Sequence, residues 1–397
     1  MPNDAATASA DFKPFRGVKV LDFSLGMAGP NCGMQFAQFG ADVIKIEPPQ
    51  GDWSRTLGTN MDGHTPLSAT VNRGKRSIAL DLKNGQAQKL VQRMAEDADV
   101  VIESFRPGVA DRLGFGYGTL SAINPGLVYV SVSGFGQTGP YAKVASTDTV
   151  AQAYPGMMWH TRDMEGRPMK IGFFVIDAAA SLYAFQAAAA ALYARRGGDA
   201  GRHLDISLMG AAAALQSPKV TEYSVEKGAT LPVNVPAGNY ETADWWVAIT
   251  LMREEQFHKI CKVLGVPELP SDARFDSFRN RGLNSRALRA ILDPIVKTRP
   301  TAEWVEALKE ADVLCAPINT IGDWLEDEHV KATGAATWYE HPGLGQVAMS
   351  VLPGLAPGDS ACTAVAPGVA QHAADILAEH GYDAAGVEAL RAAGAFG

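Results

Sequence analysis

Asp177 closes the apolar run Lys170-Ile171-Gly172-Phe173-Phe174-Val175-Ile176 and opens an Ala-rich stretch, Ala178 to about Arg195, that reads as a long helix. An aspartate at a helix start acts as a cap, its side-chain oxygen accepting an orphan N–H. The positive end of the helix favours its ionised form. That carboxylate, beside apolar residues, also has the character of a nucleophile. Local sequence leaves both roles open, capping being the usual one.

Basic side chains gather at two places. One is Asn72-Arg73-Gly74-Lys75-Arg76-Ser77-Ile78-Ala79-Leu80-Asp81-Leu82-Lys83, with Arg73, Lys75, Arg76 and Lys83; the other is Ser104-Phe105-Arg106-Pro107-Gly108-Val109-Ala110-Asp111-Arg112. Loops after parallel strands are where α/β sheets bind ligands, and Arg and Lys there suit phosphates. A solvated basic face is the plainer alternative. Phe105 has the chemistry to stack on a base or a pantetheine arm, or simply to fill core.

Two glycine patterns imitate a nucleotide site. Gly26-Met27-Ala28-Gly29 lies in a strand-to-helix turn, but its spacing is GxxG. Gly134-Phe135-Gly136-Gln137-Thr138-Gly139 matches GxGxxG, yet Pro140 follows and no acid-ended strand comes at the right distance. A lone match is weak without that context. No Walker loop, HExxH or GxSxG elbow occurs, which disfavours phosphate-loop, zinc-protease and serine-hydrolase chemistry. Cys32, Cys261, Cys315 and Cys362 stand far apart, without metal or redox spacing, and read as reduced thiols in a cytoplasmic protein. Cys32 reads as a small buried hydrophobe.

The elements that must position these residues alternate. Strands are expected at 18–23, 41–47, 77–82, 99–103, 127–132 and 203–208, and helices at 30–39, 85–96 and from 178. That alternation implies βαβ units and a largely parallel sheet. Residues 219–238 read as an irregular linker. Strands over 239–250 and helices over 254–264, 285–297 and 301–311 make a smaller α+β domain across 239–325. Residues 326–397 read as a linker and a C-terminal segment returning to the large domain, 16–218. Residues 1–15 read as a flexible tail, not a signal peptide.

Composition is that of a soluble globular protein with ample core. The chain has 397 residues, 47% hydrophobic and 20% charged, with a formal net charge of −8, which argues against a nucleic-acid surface. The Ala-rich segment is long enough to raise a membrane question; its small residues and Ser181, Tyr183 and Gln186 favour a buried helix. Neither a metal nor a nucleic-acid or membrane partner is expected.

Five segments occur in order: Val20-Leu21-Asp22-Phe23 through Ala28-Gly29-Pro30, Gly40 to Glu47, Asn72 to Lys83, Ser104 to Gly108, and Gly134 to Tyr141. Together they resemble the class III CoA-transferases, the CaiB/BaiF family that includes formyl-CoA transferase, over about residues 16 to 390. The resemblance implies a large Rossmann-like parallel-sheet domain plus a smaller α+β domain, in an interlocked homodimer. It implies that Asp177 is the nucleophile and that Asp148, Gly134 and Gly136 support the active site. Its coenzyme A contacts fall on Leu80, Lys83, Phe105, Arg106, Arg112 and Lys143, the last in the loop 143–148. No permanently bound cofactor is implied; coenzyme A thioester is a substrate, and the partners are an acyl-CoA and a free carboxylate.

Departures from the family narrow the reading. Related α-methylacyl-CoA racemases place a proton-exchanging His before the acid that Asp148 matches; here that residue is Thr147, which cannot exchange a proton on carbon as His does. Transfer is therefore expected over racemisation, the alternative. Leu25 and Met27 stand where formyl-CoA transferases carry His and Gln, Pro48 where an Arg often follows the strand-ending Glu, and only Pro236-Ala237-Gly238-Asn239 where they carry a glycine run. Oxalate is thus disfavoured as acceptor. The expected route transfers CoA from succinyl-CoA or a similar donor through an aspartyl mixed anhydride and an aspartyl-CoA thioester. Backbone N–H groups of the helix after Asp177 and of the Gly134–Gly139 loop are the expected oxyanion donors, with Asp177 held at a low pKa by its helix start.

Overall fold

The structure is a computed structural model that describes residues 12–163, 165–228 and 231–396. The chain divides into two compact units, one running to Ser217 and resuming at Ala332, the other Pro218–Lys331. Of the tail expected over residues 1–15, residues 1–11 lie outside the described residues. Phe15 packs its ring against Phe36 and Phe185.

Six strands form the sheet of the large unit: β1 (Lys19–Asp22), β2 (Asp42–Glu47), β3 (Arg76–Ala79), β4 (Val100–Glu103), β5 (Val128–Ser133) and β6 (Arg202–Ser207). All pair in parallel, in the order β3-β2-β1-β4-β5-β6. The α/β architecture expected from the alternating pattern is the one the chain adopts. The central strands are apolar on both faces because both faces are covered, as parallel sheets require. Leu21, Ile44, Ile46, Ile78 and Val101 meet Leu90 and Val91 of helix α2 (Gly85–Ala95) and Ile376 and Leu377 near the C-terminus. Val20, Val43, Val100, Val128 and Val130 meet helix α1 (Ala28–Gln38) and the long Ala-rich helix.

Order reverses between β1 and β4, so the loops leaving those strands diverge and open a crevice at their carboxyl ends. Ser104 ties the two loops: its hydroxyl accepts the Leu25 N–H at 2.8 Å. Helix α3 (Asp148–Ala153) and helix α4 (Val175–Arg196) complete this side. Alanine is the strongest helix former, and Ala180, Ala184 and Ala188, four residues apart, are fully buried. By length and composition α4 is apolar enough to cross a membrane, and this face of it packs into the core of the large unit.

The smaller unit has a three-stranded antiparallel sheet, β7 (Gly238–Glu241), β8 (Trp246–Thr250) and β9 (Leu314–Pro317). Helices Glu254–Val263, Ser285–Val296 and Thr301–Glu310 bury Phe257, Leu288, Leu292, Trp304 and Leu308 around it. Two elements depart from the sequence expectation. Residues Ser217–Glu226 form a helix, α5, which runs into the irregular linker expected over 219–238; none of its residues is buried. Strand β9 is mostly exposed and ends in Pro317, which masks the alternation a strand would display.

Candidate active site

Helix α4 begins two residues before Asp177. Phe174 occupies the N-cap position with no side-chain cap, and Asp177 lies in the first turn. The capping role goes to Asp148, 29 residues earlier in the chain. Its carboxylate accepts the N–H of Ile176 at 2.7 Å and of Asp177 at 3.2 Å. Gln152, one helical turn along α3, donates to the same carboxylate at 2.6 Å and accepts the Ile171 N–H at 2.8 Å. Asp148 and Gln152 are both buried. Asp148 is thereby fixed, and it satisfies donors that a helix start leaves orphaned.

Asp177 is treated differently. Among the described residues nothing hydrogen-bonds its carboxyl. Burial, and then the charge of Asp148 beside it, push it up to about 7. The low pKa expected from a cap position is overturned, because Asp148 takes the helix N–H groups that would have stabilised Asp177. A desolvated carboxylate without hydrogen bonds is a stronger nucleophile than a solvated one. The expected oxyanion donors change with it: the amide of Ala178, the first after Asp177, goes to the Phe174 carbonyl, and those of Ile176 and Asp177 go to Asp148.

Glycines shape the loop after β5. A Cβ on Gly134 would fall 2.4 Å from Cβ of Ser146, so only glycine lets the strand end pass under the segment leading to Asp148. Gly136 has φ +92°, and its N–H goes to Ser133 Oγ at 3.0 Å, while the Gln137 N–H goes to Asp205 at 2.8 Å.

A cavity of about 250 Å³ lies in the crevice beyond β1–β4, walled by Phe23, Ile46, Pro48, Leu80, Lys83 and Phe105. Three of the sequence-predicted coenzyme A residues, Leu80, Lys83 and Phe105, are brought together there. Arg106 is exposed and lines a separate small cavity. Arg112 and Lys143 are exposed and line neither. The first basic cluster is largely not a phosphate site. Lys75 is buried against Asp22 at 2.7 Å, Arg76 pairs with Asp42 and Glu379, and Arg73 is buried, donating to the Ser350 carbonyl. Lys83 alone of the four is exposed at the cavity. Cys32 is buried and its thiol is pushed well up by burial, consistent with packing. No cluster of three His, Cys, Asp or Glu is placed to hold a metal among the described residues.

Sequence reasoning missed Gln152 and the buried ion network beneath the β1 loop. Lys45 Nζ meets Asp52 at 2.9 Å, and Asp52 accepts the Gly26 N–H at 3.0 Å. Gly26 is pinned from above as well, since a Cβ there would strike the Trp53 ring. A signal was present: Lys45 and Glu47 stand inside a strand buried on both faces, where a charge must have a partner.

The family model for CoA-transferase family III matches residues 15–373. An acetyl-CoA:oxalate CoA-transferase of Acetobacter aceti is 36% identical, over 78% of this chain and 82% of its own. A succinyl-CoA–D-citramalate CoA-transferase of Chloroflexus aurantiacus is 32% identical over 92% and 94%. The crystal structure of a CaiB/BaiF family protein from Brucella suis superposes with a TM-score of 0.82 at 33% identity, covering 93% of this chain and 99% of that one. The ordered loops, the crevice at the strand ends and these matches together establish that the chain is an enzyme of CoA-transferase family III.

Proposed function

We propose that this enzyme carries CoA from an acyl-CoA donor, succinyl-CoA or a close relative, to a carboxylic acid through covalent intermediates on Asp177. The observation that carries the reading is the contrast within one helix turn: Asp148 accepts three hydrogen bonds and is fixed, while the Asp177 carboxyl accepts none. The ionised Asp177 attacks the thioester carbonyl, the C–S bond breaks, and a mixed anhydride and CoA thiolate result. The thiolate attacks the aspartyl carbonyl, releasing the donor acid and leaving an aspartyl-CoA thioester. The acceptor carboxylate attacks that thioester, and returning thiolate forms the new acyl-CoA and restores Asp177. Thioester energy is conserved throughout. With the helix amides occupied, the N–H groups of the glycine loop other than those of Gly136 and Gln137, Thr138 and Gly139 among them, are the candidate oxyanion donors.

Asp177→Ala should abolish turnover, a loss of about 10⁴-fold or more as for a covalent nucleophile, while CoA still binds. Substantial residual transfer by a folded variant would sink the assignment. Mass spectrometry of products from a panel of free acids, with succinyl-CoA as donor, identifies the acceptor.

The homodimer belongs to the same proposal. Helix α5 buries none of its ten residues and exposes Val220, Tyr223 and Val225, and a helix that short is marginal without packing. On α4, Leu182 and Tyr193 are likewise exposed. A second copy of the chain covers these faces, so sedimentation should give a dimer; a monomer would count against it.

A further inference from the structure

Glu103 ends β4 and is buried. Its carboxyl accepts the Phe105 N–H at 2.7 Å, and it stands opposite Ser131 in the β4–β5 ladder, both side chains lining one small cavity. Ser131 Oγ lies 2.8 Å from Nε2 of His203. His203 stands exposed on the edge strand β6 and stacks on Tyr117 at 5.0 Å. Arg106, Asp111, Tyr129 and Gln137 close a cavity of about 60 Å³ around this chain of groups. Two residues beyond His203, Asp205 accepts the Gln137 N–H. One row of polar side chains on the sheet thus holds both loops of the site: Glu103 the turn that carries Phe105 and Arg106, Asp205 the glycine loop.

The chain Glu103–Ser131–His203 can be satisfied in two directions. With Glu103 neutral, its O–H donates to Ser131 Oγ and the Ser131 O–H donates to a neutral His203 Nε2. With Glu103 ionised, the Ser131 O–H donates to the carboxylate and His203 donates from Nε2. Proton loss passes the Glu103 proton to Ser131 while Ser131 hands its own to His203, which releases a proton to water from its other nitrogen. Burial pushes Glu103 up to about 7, with Asp111 and Asp205 adding to the rise and the hydrogen bonds from Ser131 and Phe105 opposing it. Facing it are Asp111 and Arg106 on the β4 side, Tyr129 and Ser131 on β5, His203 and Asp205 on β6, and Tyr117. Arg106 is the cation of that set.

We propose that Glu103 is a positioning residue for the CoA end of the site: its carboxyl fixes the turn that presents Phe105 and Arg106, and it exchanges its proton with solvent through Ser131 and His203. The inference rests on the reading that Phe105 and Arg106 meet CoA. Neutral Glu103 leaves the Arg106 charge to the anionic substrate. Ionised Glu103, lining the same cavity, draws that guanidinium inward. Affinity for CoA therefore falls as pH rises through neutrality.

Calorimetric titration of coenzyme A into the full-length enzyme at pH 6 and pH 8.5 tests this, with Glu103→Gln and Glu103→Ala beside the wild type. Glu103→Gln keeps an oxygen for the Phe105 N–H and cannot ionise. It should bind at pH 6 as the wild type does and lack the wild type's extra weakening at pH 8.5, the titration of CoA's own phosphate being common to both. Glu103→Ala should bind about tenfold more weakly at pH 6, the loss of one hydrogen bond that holds the turn, with kcat changed far less than KM. A Glu103→Gln variant that keeps the wild-type pH dependence overturns the proposal, as does a folded Glu103→Ala with wild-type affinity at pH 6. If Glu103→Ala does not fold, the Glu103→Gln comparison decides alone. Wild-type enzyme that binds no CoA would overturn the underlying site reading, and is distinguished from the other failures by needing no variant.

Discussion

Beneath the β1 loop, Asp22 and Asp52 are buried and each meets a lysine, Lys75 at 2.7 Å and Lys45 at 2.9 Å. At the start of α4, Asp148 and Asp177 lie together and no lysine or arginine contributes to the state of Asp177. Burial alone would raise Asp22, but Lys75 and Lys45 outweigh it and hold that carboxyl below its ordinary value. Burial and a neighbouring carboxylate both raise Asp177. The difference separates two uses of a buried acid. Matched with a cation, it anchors backbone: Asp22 accepts the Ser24 N–H and Asp52 the Gly26 N–H, fixing the loop at the switch point. Left unmatched, it keeps the reactivity that solvation or pairing would remove. The same comparison separates Asp148 from Asp177: the carboxylate that takes the helix donors is held by them, and the other is left for the attack proposed above.

The largest expected effect comes from unbalancing the matched region. Lys75→Met leaves Asp22 buried without its nearest cation, a change of about 3–5 kcal/mol in stability. Chemical denaturation should register it directly. Replacing both residues, as Asp22→Asn with Lys75→Met, should recover much of the loss, because the penalty lies in the orphaned charge more than in the missing pair. A single Lys75→Met variant as stable as the wild type would mean that Lys45 alone satisfies Asp22, and the two regions would differ less than the pairing distances imply.

What the sequence disclosed follows the range of the interactions involved. Strands β4 and β5 were legible because burial on both faces makes them largely apolar runs, and the edge strand β6, with Arg202, His203 and Asp205, by its place in the alternation of strands and helices. Leu80, Lys83 and Phe105, which the family resemblance pointed to, share one cavity because they follow directly on β3 and β4, and topology sends strand ends to the crevice. The cap at the start of α4, read from local sequence as Asp177, was misplaced because the true cap comes from another helix. Local propensity cannot display a partner 29 residues away. Arg73, Lys75 and Arg76 looked like a phosphate cluster for the same reason. Their acceptors, Ser350, Asp22, Asp42 and Glu379, are remote in the chain and adjacent only in the fold.

Asp148→Asn sharpens the comparison with a smaller effect. Asparagine keeps an oxygen facing the N–H groups of Ile176 and Asp177 and removes the negative charge. In the proposed route ionised Asp177 is the attacking form, so kcat/KM should climb with pH and level off above about 7. Without the Asp148 charge the bend should move to lower pH, stopping short of the ordinary value because burial, the larger cause, persists. Stability carries the same sign. Asp177 rises from its ordinary 3.8 to about 7 on folding, so charging it removes stability as pH climbs through that interval, and the full loss is present above it. Asp148→Asn lessens that loss. Any drop in melting temperature from the weaker cap should therefore be smaller at pH 8 than at pH 4. A bend that stays in place, with equal melting shifts at both pH values, would mean that Asp177 owes its state to burial alone and that Asp148 acts only as a cap.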